Sequence, residues 1–238
     1  MSELPRRPDR PPPAPRRRQN IDHRAVMLEI DHLFCFVDPG ADWASRAGEG
    51  GWILDQGVEH AGQGMRNRRL WLPEQYLEFI WLSSRTDAAN NPLRLDRRAD
   101  WRTTGACPFG VGLRGQLDED WRSEFWAYRP PYAPEAYLWV HRSNESTPLV
   151  FVIEASAGTL ERFRPRTRFA DKPHLLAHAR PATIHRLSFR TPGPIQALLA
   201  NVAPQVIWRS GSPQCLEVSL GDSASPVLKL AEEVSLVG

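Results

Sequence analysis

Lysine is almost missing from this chain of 238 residues: Lys172 and Lys229 are the only two, against twenty-eight arginines. That bias reads as codon composition rather than phosphate recognition. Long apolar runs are missing too. No stretch of eighteen apolar residues exists, which excludes a membrane-spanning helix. The early residues lack the apolar segment of a secretion signal, so the cytoplasm is the expected compartment. Cysteine is scarce: Cys35, Cys107 and Cys215 lie far apart and form no C-x-x-C pair. A zinc site built on thiolates and a disulfide framework are both disfavoured.

What is present describes a globular chain with a tail. Hydrophobic residues at 41% and charged ones at 24% exclude a wholly disordered or coiled-coil protein. Residues 1–26 hold six prolines and seven arginines against Glu3, Asp9 and Asp22, a net of +4. The whole chain is +2, so the remainder carries −2 and offers no broad basic face for nucleic acid. Residues 1–27 are expected to be disordered, because they cannot bury enough apolar area to offset their ordering entropy. Met27 is an alternative natural start.

Structured sequence opens after this tail. Residues 30–37 read as a strand and 41–47 as a short helix. Further strands are expected near 51–55, at 68–72 and at 76–82, with the glycine-rich stretch His60-Ala61-Gly62-Gln63-Gly64 between them. This is a β-α-β-β-β unit. A similar order returns at 182–238: strands at 183–190, 205–209, 214–220 and 227–231, with a helix at 194–201. Ile30-Asp31-His32-Leu33-Phe34 echoes Ile184-His185-Arg186-Leu187-Ser188-Phe189, and Tyr76-Leu77-Glu78-Phe79 echoes Cys215-Leu216-Glu217-Val218. Between the units, 108–113 and 149–154 read as strands. The aromatic stretch separating them is either two strands of a degenerate unit or a long loop over a pocket. Residues 156–181 read as a linker. The expected fold class is α+β, with repeated β-α-β-β-β modules forming a curled, open-barrel mixed sheet around a pocket.

Two residues carry the chemical argument. In a strand, His32, Phe34 and Phe36 share one face while Leu33, Cys35 and Val37 take the other. Both faces are apolar, so the strand is covered on both sides. Glu78 is the only charge in Tyr76-Leu77-Glu78-Phe79-Ile80-Trp81-Leu82. A buried carboxylate costs several kcal/mol unless it is paired or bound to a cation. Its partner is either Arg66, Arg68 or Arg69, or a metal. A histidine on the first strand and a glutamate on the last can meet within one sheet, and divalent Mn, Fe, Ni and Zn accept such mixed donors.

The segments Asp31-His32-Leu33, His60-x-Gly62-x-Gly64-x-x-Asn67-Arg68, Tyr76-Leu77-Glu78 and Phe151-Val152-Ile153-Glu154 together resemble the glyoxalase-like proteins of the vicinal oxygen chelate superfamily. The resemblance covers residues 28–155 and implies a divalent metal cofactor held by His32, Glu78 and Glu154. The alternative set completes His32 and Glu78 with His185 and Glu217. The order of motifs favours Glu154; the repeat favours His185 and Glu217. Residues 109–113, the first strand of the second module, contain no histidine, a departure from the glyoxalase I pattern. Met65 stands where such proteins often carry a small hydroxyl residue. His60, Gln63 and Asn67 are candidates for lining the pocket mouth, and Arg129 beside Pro130-Pro131-Tyr132 for holding a substrate.

Two functions follow from the resemblance. One is a metal-dependent isomerase or lyase acting on a small molecule with adjacent oxygens, with Glu78 or Glu154 moving the proton. The other is a non-catalytic small-molecule-binding protein of the same fold, in which Glu78 would pair with an arginine. Modules of such proteins also pair across subunits, which makes a homodimer compatible with the sequence.

Overall fold

The computed structural model describes residues 28–39 and 42–154, the C-terminal segments 184–191, 206–210, 215–220, 227–231 and 234–237, and a few single positions between them. The tail 1–27, most of the linker 156–181 and all of the 194–201 helix except Leu199 lie outside the described residues. Among the described residues no helix is long and apolar enough to cross a membrane.

The first unit runs β1 (Leu28–Phe36), α1 (Trp43–Glu49), β2 (Glu59–His60), β3 (Met65–Trp71) and β4 (Tyr76–Leu82). Short helices α2 (Arg85–Asn90), α3 (Leu95–Ala99) and α4 (Trp101–Thr104) lead to the second unit. That unit runs β5 (Phe109–Gly115), α5 (Glu119–Arg122), β6 (Phe125–Tyr128), β7 (Leu138–His141) and β8 (Leu149–Glu154). The aromatic stretch before β8 therefore forms two strands and a short helix. The second unit thus has the same order of elements as the first.

Eight strands make one curled, unclosed sheet in the order β2-β3-β4-β1-β5-β8-β7-β6. In each module the first strand is parallel to the last, β1 to β4 and β5 to β8. Antiparallel pairing of β1 with β5 joins the halves. The strand expected near 51–55 is a single bridge between Leu54 and Leu70. The actual β2 is two residues long and lies in the glycine-rich stretch, where Glu59 and His60 pair with Arg66 and Met65 across a tight turn.

The sheet has a core on each side. Leu33, Cys35 and Val37 point to one cluster with Trp43, Phe79, Val111 and Val152; Phe34 and Phe36 point to the other with Met65, Ile80 and Tyr128. The alternation in β1 thus sorts its side chains as expected. Trp43 of α1 stacks on Phe79 at 4.9 Å. Burying an aromatic of this size contributes roughly 2–3 kcal/mol, which is what fixes so short a helix to the sheet.

The C-terminal residues form β9 (Ile184–Thr191), β10 (Val206–Ser210), β11 (Cys215–Leu220), β12 (Val227–Ala231) and β13 (Val234–Val237). Their sheet order is β10-β9-β11-β13-β12. Five strands stand where four were expected, and the pairing differs from one module. β9 is antiparallel to β11, and each has a parallel partner, β10 and β13. β11 therefore relates to β9 as β5 does to β1, and it is not the counterpart of β4. Leu199, Leu216 and Val218 belong to the same core cluster as Cys35 and Trp43.

Candidate functional site

Successive residues of a strand normally point to opposite faces. Asp31 and His32 escape this rule. The register of β1 against β5 slips between Ile30 and His32, so that Asp31 is an extra, bulged residue. Asp31 can then accept from its own neighbour: the Asp31 Oδ2 to His32 Nδ1 distance is 2.7 Å. The other oxygen, Oδ1, accepts from Arg114 Nη1 at 3.1 Å. The three side chains are buried, Arg114 to 1% exposure.

The His32 ring lies over Gly112 of β5. A Cβ there would come within 2.4 Å of His32 Cε1, and one at Gly110 within 1.9 Å of the Phe34 ring. The alternating glycines of Phe109-Gly110-Val111-Gly112-Leu113 admit these two rings. Tyr76 stacks on the imidazole at 4.4 Å and Phe151 lies 5.3 Å away, so the ring has one open edge.

That edge, Nε2, faces Glu78. His32 Nε2 is 3.6 Å from Glu78 Oε2, and His60 Nε2 is 3.9 Å from Oε1. Glu78 is 6% exposed. Arg69 sits opposite Glu78 in the β3–β4 register, yet its guanidinium turns to Asp55, with Nη2 at 2.7 Å from Oδ2. Arg68 Nε donates to the Asp55 carbonyl, and Arg66 is exposed. Among the described residues no arginine forms an ion pair with Glu78.

One backbone group sets the direction of the remaining network. Val58 N–H donates to Asn67 Oδ1 at 2.8 Å, so Asn67 Nδ2 is the donor to its other partners. It donates to Glu78 Oε1 and, at 3.3 Å, to His60 Nε2. His60 Nε2 is therefore an acceptor, which makes this imidazole neutral with its proton on Nδ1. That proton goes to Gln63 Oε1 at 3.2 Å, and Gln63 Nε2 donates to the Tyr128 hydroxyl at 3.1 Å. Asn91 Nδ2 also donates to Tyr128, at 2.9 Å. Burial pushes the Tyr128 hydroxyl above the usual tyrosine range, and the two amides partly offset that.

Tyr132, on the β6–β7 connection, closes the side of the cluster by stacking on His60 at 4.3 Å. The residue keeps 41% of its surface exposed, while its hydroxyl end is pushed well above the tyrosine range, first by burial and then by the Glu78 charge.

Of the residues singled out from sequence, His32, Glu78, His60, Gln63, Asn67 and Tyr132 come together. Glu154 does not. It follows the parity of Val150 and Val152 to the opposite face, where Arg122 Nη2 at 3.0 Å and Trp139 Nε1 at 2.8 Å hold it. Arg129 is exposed, donates to the Pro134 carbonyl and lies over Tyr137. Glu217 is exposed on β11. His185 lies in β9, and its side chain is outside the described residues. Arg114, Tyr128 and Asn91 join the site without a motif that marks them as site residues. Arg114 had a readable signal, since it is the lone charge in an apolar, glycine-spaced strand, just as Glu78 is in its own.

The donors do not complete the metal centre that the resemblance implies. Among the described residues no three of His, Cys, Asp and Glu are placed to hold one ion. His60 Nε2 spends its lone pair on Asn67, and the inner positions of β5 and β8 facing His32 are Gly112 and Phe151. The second module thus brings glycine and a hydrocarbon ring where a third ligand is needed.

Fold and cluster together define a pair of β-α-β-β-β modules that present a buried carboxylate between two imidazoles. No family model and no curated protein matches the chain. Among solved structures it is similar to a hypothetical protein from Staphylococcus aureus, at 11% identity and a TM-score of 0.56 over 88% of this chain and 98% of that one. It is also similar to a methylmalonyl-CoA epimerase from Streptomyces coelicolor in complex with 2-nitronate-propionyl-CoA, at 13% identity and a TM-score of 0.38 over 54% and 95%. A methylmalonyl-CoA epimerase from Mycobacterium tuberculosis is similar at 14% identity and a TM-score of 0.37 over 56% and 91%. At 11% identity the likeness to the Staphylococcus aureus protein is one of fold alone.

Proposed function

We propose that the chain is a glyoxalase-fold isomerase or lyase in which Glu78 and His32 move a proton on a small, uncharged substrate with adjacent oxygens. One observation carries the reading: Glu78 is buried without an arginine and faces the open nitrogen of a histidine. Burying an unpaired carboxylate costs several kcal/mol. Two lone pairs facing each other repel, so a proton belongs between Nε2 and Oε2, on one or the other.

With that proton on His32, the carboxylate is free to act as a base. It takes a proton from the carbon beside a substrate carbonyl; the C–H electron pair moves to the carbonyl oxygen, which accepts the proton from His32 Nε2. Return of the Glu78 proton to the former carbonyl carbon, with the neighbouring hydroxyl giving its proton back to His32 Nε2 as its oxygen becomes the new carbonyl, completes an isomerisation. Return to the first carbon regenerates the substrate or its epimer. Asn67 holds the carboxylate in place, and the Tyr76 and Phe151 rings exclude water. Arg69 and Arg114 are both committed to carboxylates, which is why the substrate is taken to be uncharged.

The stacked rings of His60 with Tyr132 and of His32 with Tyr76 support a second reading, sequestration of a planar molecule without chemistry. Proton exchange separates the two. Hydroxyacetone and dihydroxyacetone incubated in D2O should exchange their carbon-bound hydrogens faster with wild-type protein than with Glu78→Gln. Perturbed spectra without exchange select the binder. Exchange that persists in Glu78→Gln removes Glu78 from the chemistry.

A further inference from the structure

We infer that Arg114 is a positioning residue that decides which nitrogen of His32 carries a proton, acting through Asp31 from the second module. Arg114 donates into the first module from three of its nitrogens. Nη1 donates to Asp31 Oδ1 at 3.1 Å, Nε and Nη2 to Glu29 Oε2 at 3.3 and 3.2 Å, and Nη2 to the Glu74 carbonyl at 2.9 Å. Its side chain is 2% exposed and that of Asp31 4%.

A guanidinium is a rigid fork of donors with no acceptor, so whatever faces it must be an oxygen. Glu29 and the Glu74 carbonyl fix the fork from two sides. Asp31 Oδ1 is then committed to Nη1, and Oδ2 is left facing His32. A carboxylate oxygen only accepts, so His32 must carry its proton on Nδ1 and turn Nε2 toward Glu78. The bulge makes this possible by bringing adjacent side chains to one side of β1. Among the described residues the second module supplies no third imidazole or carboxylate to the cluster, and it supplies this cation in their place.

The inference rests on reading His32 and Glu78 as a proton-sharing pair, but its test needs no substrate. Nitrogen-15 NMR of the histidine side chains reports whether His32 Nδ1 is protonated. In Asp31→Asn, Arg114 should hold the amide oxygen and force the amide nitrogen, a donor, against His32. Nδ1 must then give up its proton. The protonated fraction should fall by at least tenfold, about the effect of one hydrogen bond exchanged for a donor–donor clash. Adding Arg114→Met frees the amide to rotate and should restore the Nδ1 proton.

A His32 that keeps its Nδ1 proton in Asp31→Asn overturns the inference, because the new amide would then be free to present its oxygen to the imidazole with Arg114 in place. Should the double variant fail to fold, the single, nearly isosteric variant still decides. Wild-type protein that exchanges no carbon-bound hydrogen, together with a loss of the Nδ1 proton in Asp31→Asn, would reject the proposed chemistry and leave the role of Arg114 standing.

Discussion

Gly112 lies directly beneath the imidazole of His32, close enough that a Cβ would come within 2.4 Å of Cε1 and 2.7 Å of Nδ1. The ring is already held by the Tyr76 stack and by Asp31, so it cannot move aside without losing one of them. Gly112→Ala is expected to destabilise the fold by about 1–3 kcal/mol through overpacking. Urea denaturation measures this, and proton exchange should fall with it because Nε2 is displaced from Glu78. An unchanged midpoint would mean that the ring has room the structure does not show.

Asn67 links Glu78 to His60 through one amide group. Asn67→Asp replaces two donated hydrogen bonds with a carboxylate against a carboxylate. Stability at pH 7 is expected to drop by about 2–4 kcal/mol, and to recover partly at low pH as the pair becomes protonated. A chemical-denaturation series against pH tests both parts; a loss independent of pH would point to packing rather than charge.

Cys107 is a core residue whose thiol is pushed by burial from 9.0 up to about 12, with the Arg98 charge and then the Phe109 backbone acting the other way. In native protein at pH 8 it should resist iodoacetamide and react once the chain is unfolded in urea. The folded state holds this proton more tightly than the unfolded chain does. The thiol's contribution is therefore fully present below about pH 9 and is lost as pH rises toward 12. Rapid alkylation of Cys107 in the folded protein would show that the site opens.

Divalent metal should do little. With His60 Nε2 occupied by Asn67 and no donor from the second module among the described residues, added Zn, Ni, Mn or Fe(II) is expected to change the melting temperature by less than about 2 °C, well under the rise that saturated tight binding gives. A large rise abolished by His32→Ala would restore a metal centre built on His32 and Glu78.

Much of this site was legible in the sequence. Alternation in β1 sorted His32 and Phe34 from Leu33 and Cys35, and a lone charge in an apolar strand marked Glu78. What was not legible depends on partners across the sheet. The bulge at Asp31 is a matter of register against β5, and no local pattern encodes it. Leu149-Val150-Phe151-Val152-Ile153 is apolar on both faces, so its residue types do not say to which side Glu154 turns. The likeness of Cys215-Leu216-Glu217 to Tyr76-Leu77-Glu78 hid a change of role, since β11 is the antiparallel neighbour of β9. β2 was missed because two paired residues at a glycine turn leave no periodicity to read.

The stability of Glu78→Gln tests most directly whether Glu78 is kept for chemistry. A glutamine fits the same partners: its oxygen accepts from Asn67, and its nitrogen donates to His32 Nε2, the nitrogen that faces the carboxylate now. Equilibrium urea denaturation at pH 7 is expected to find this variant at least as stable as wild type, because a buried charge is removed and every hydrogen bond is kept. A loss of about 3–5 kcal/mol, the signature of a broken structural ion pair, would contradict this and make Glu78 part of the scaffold.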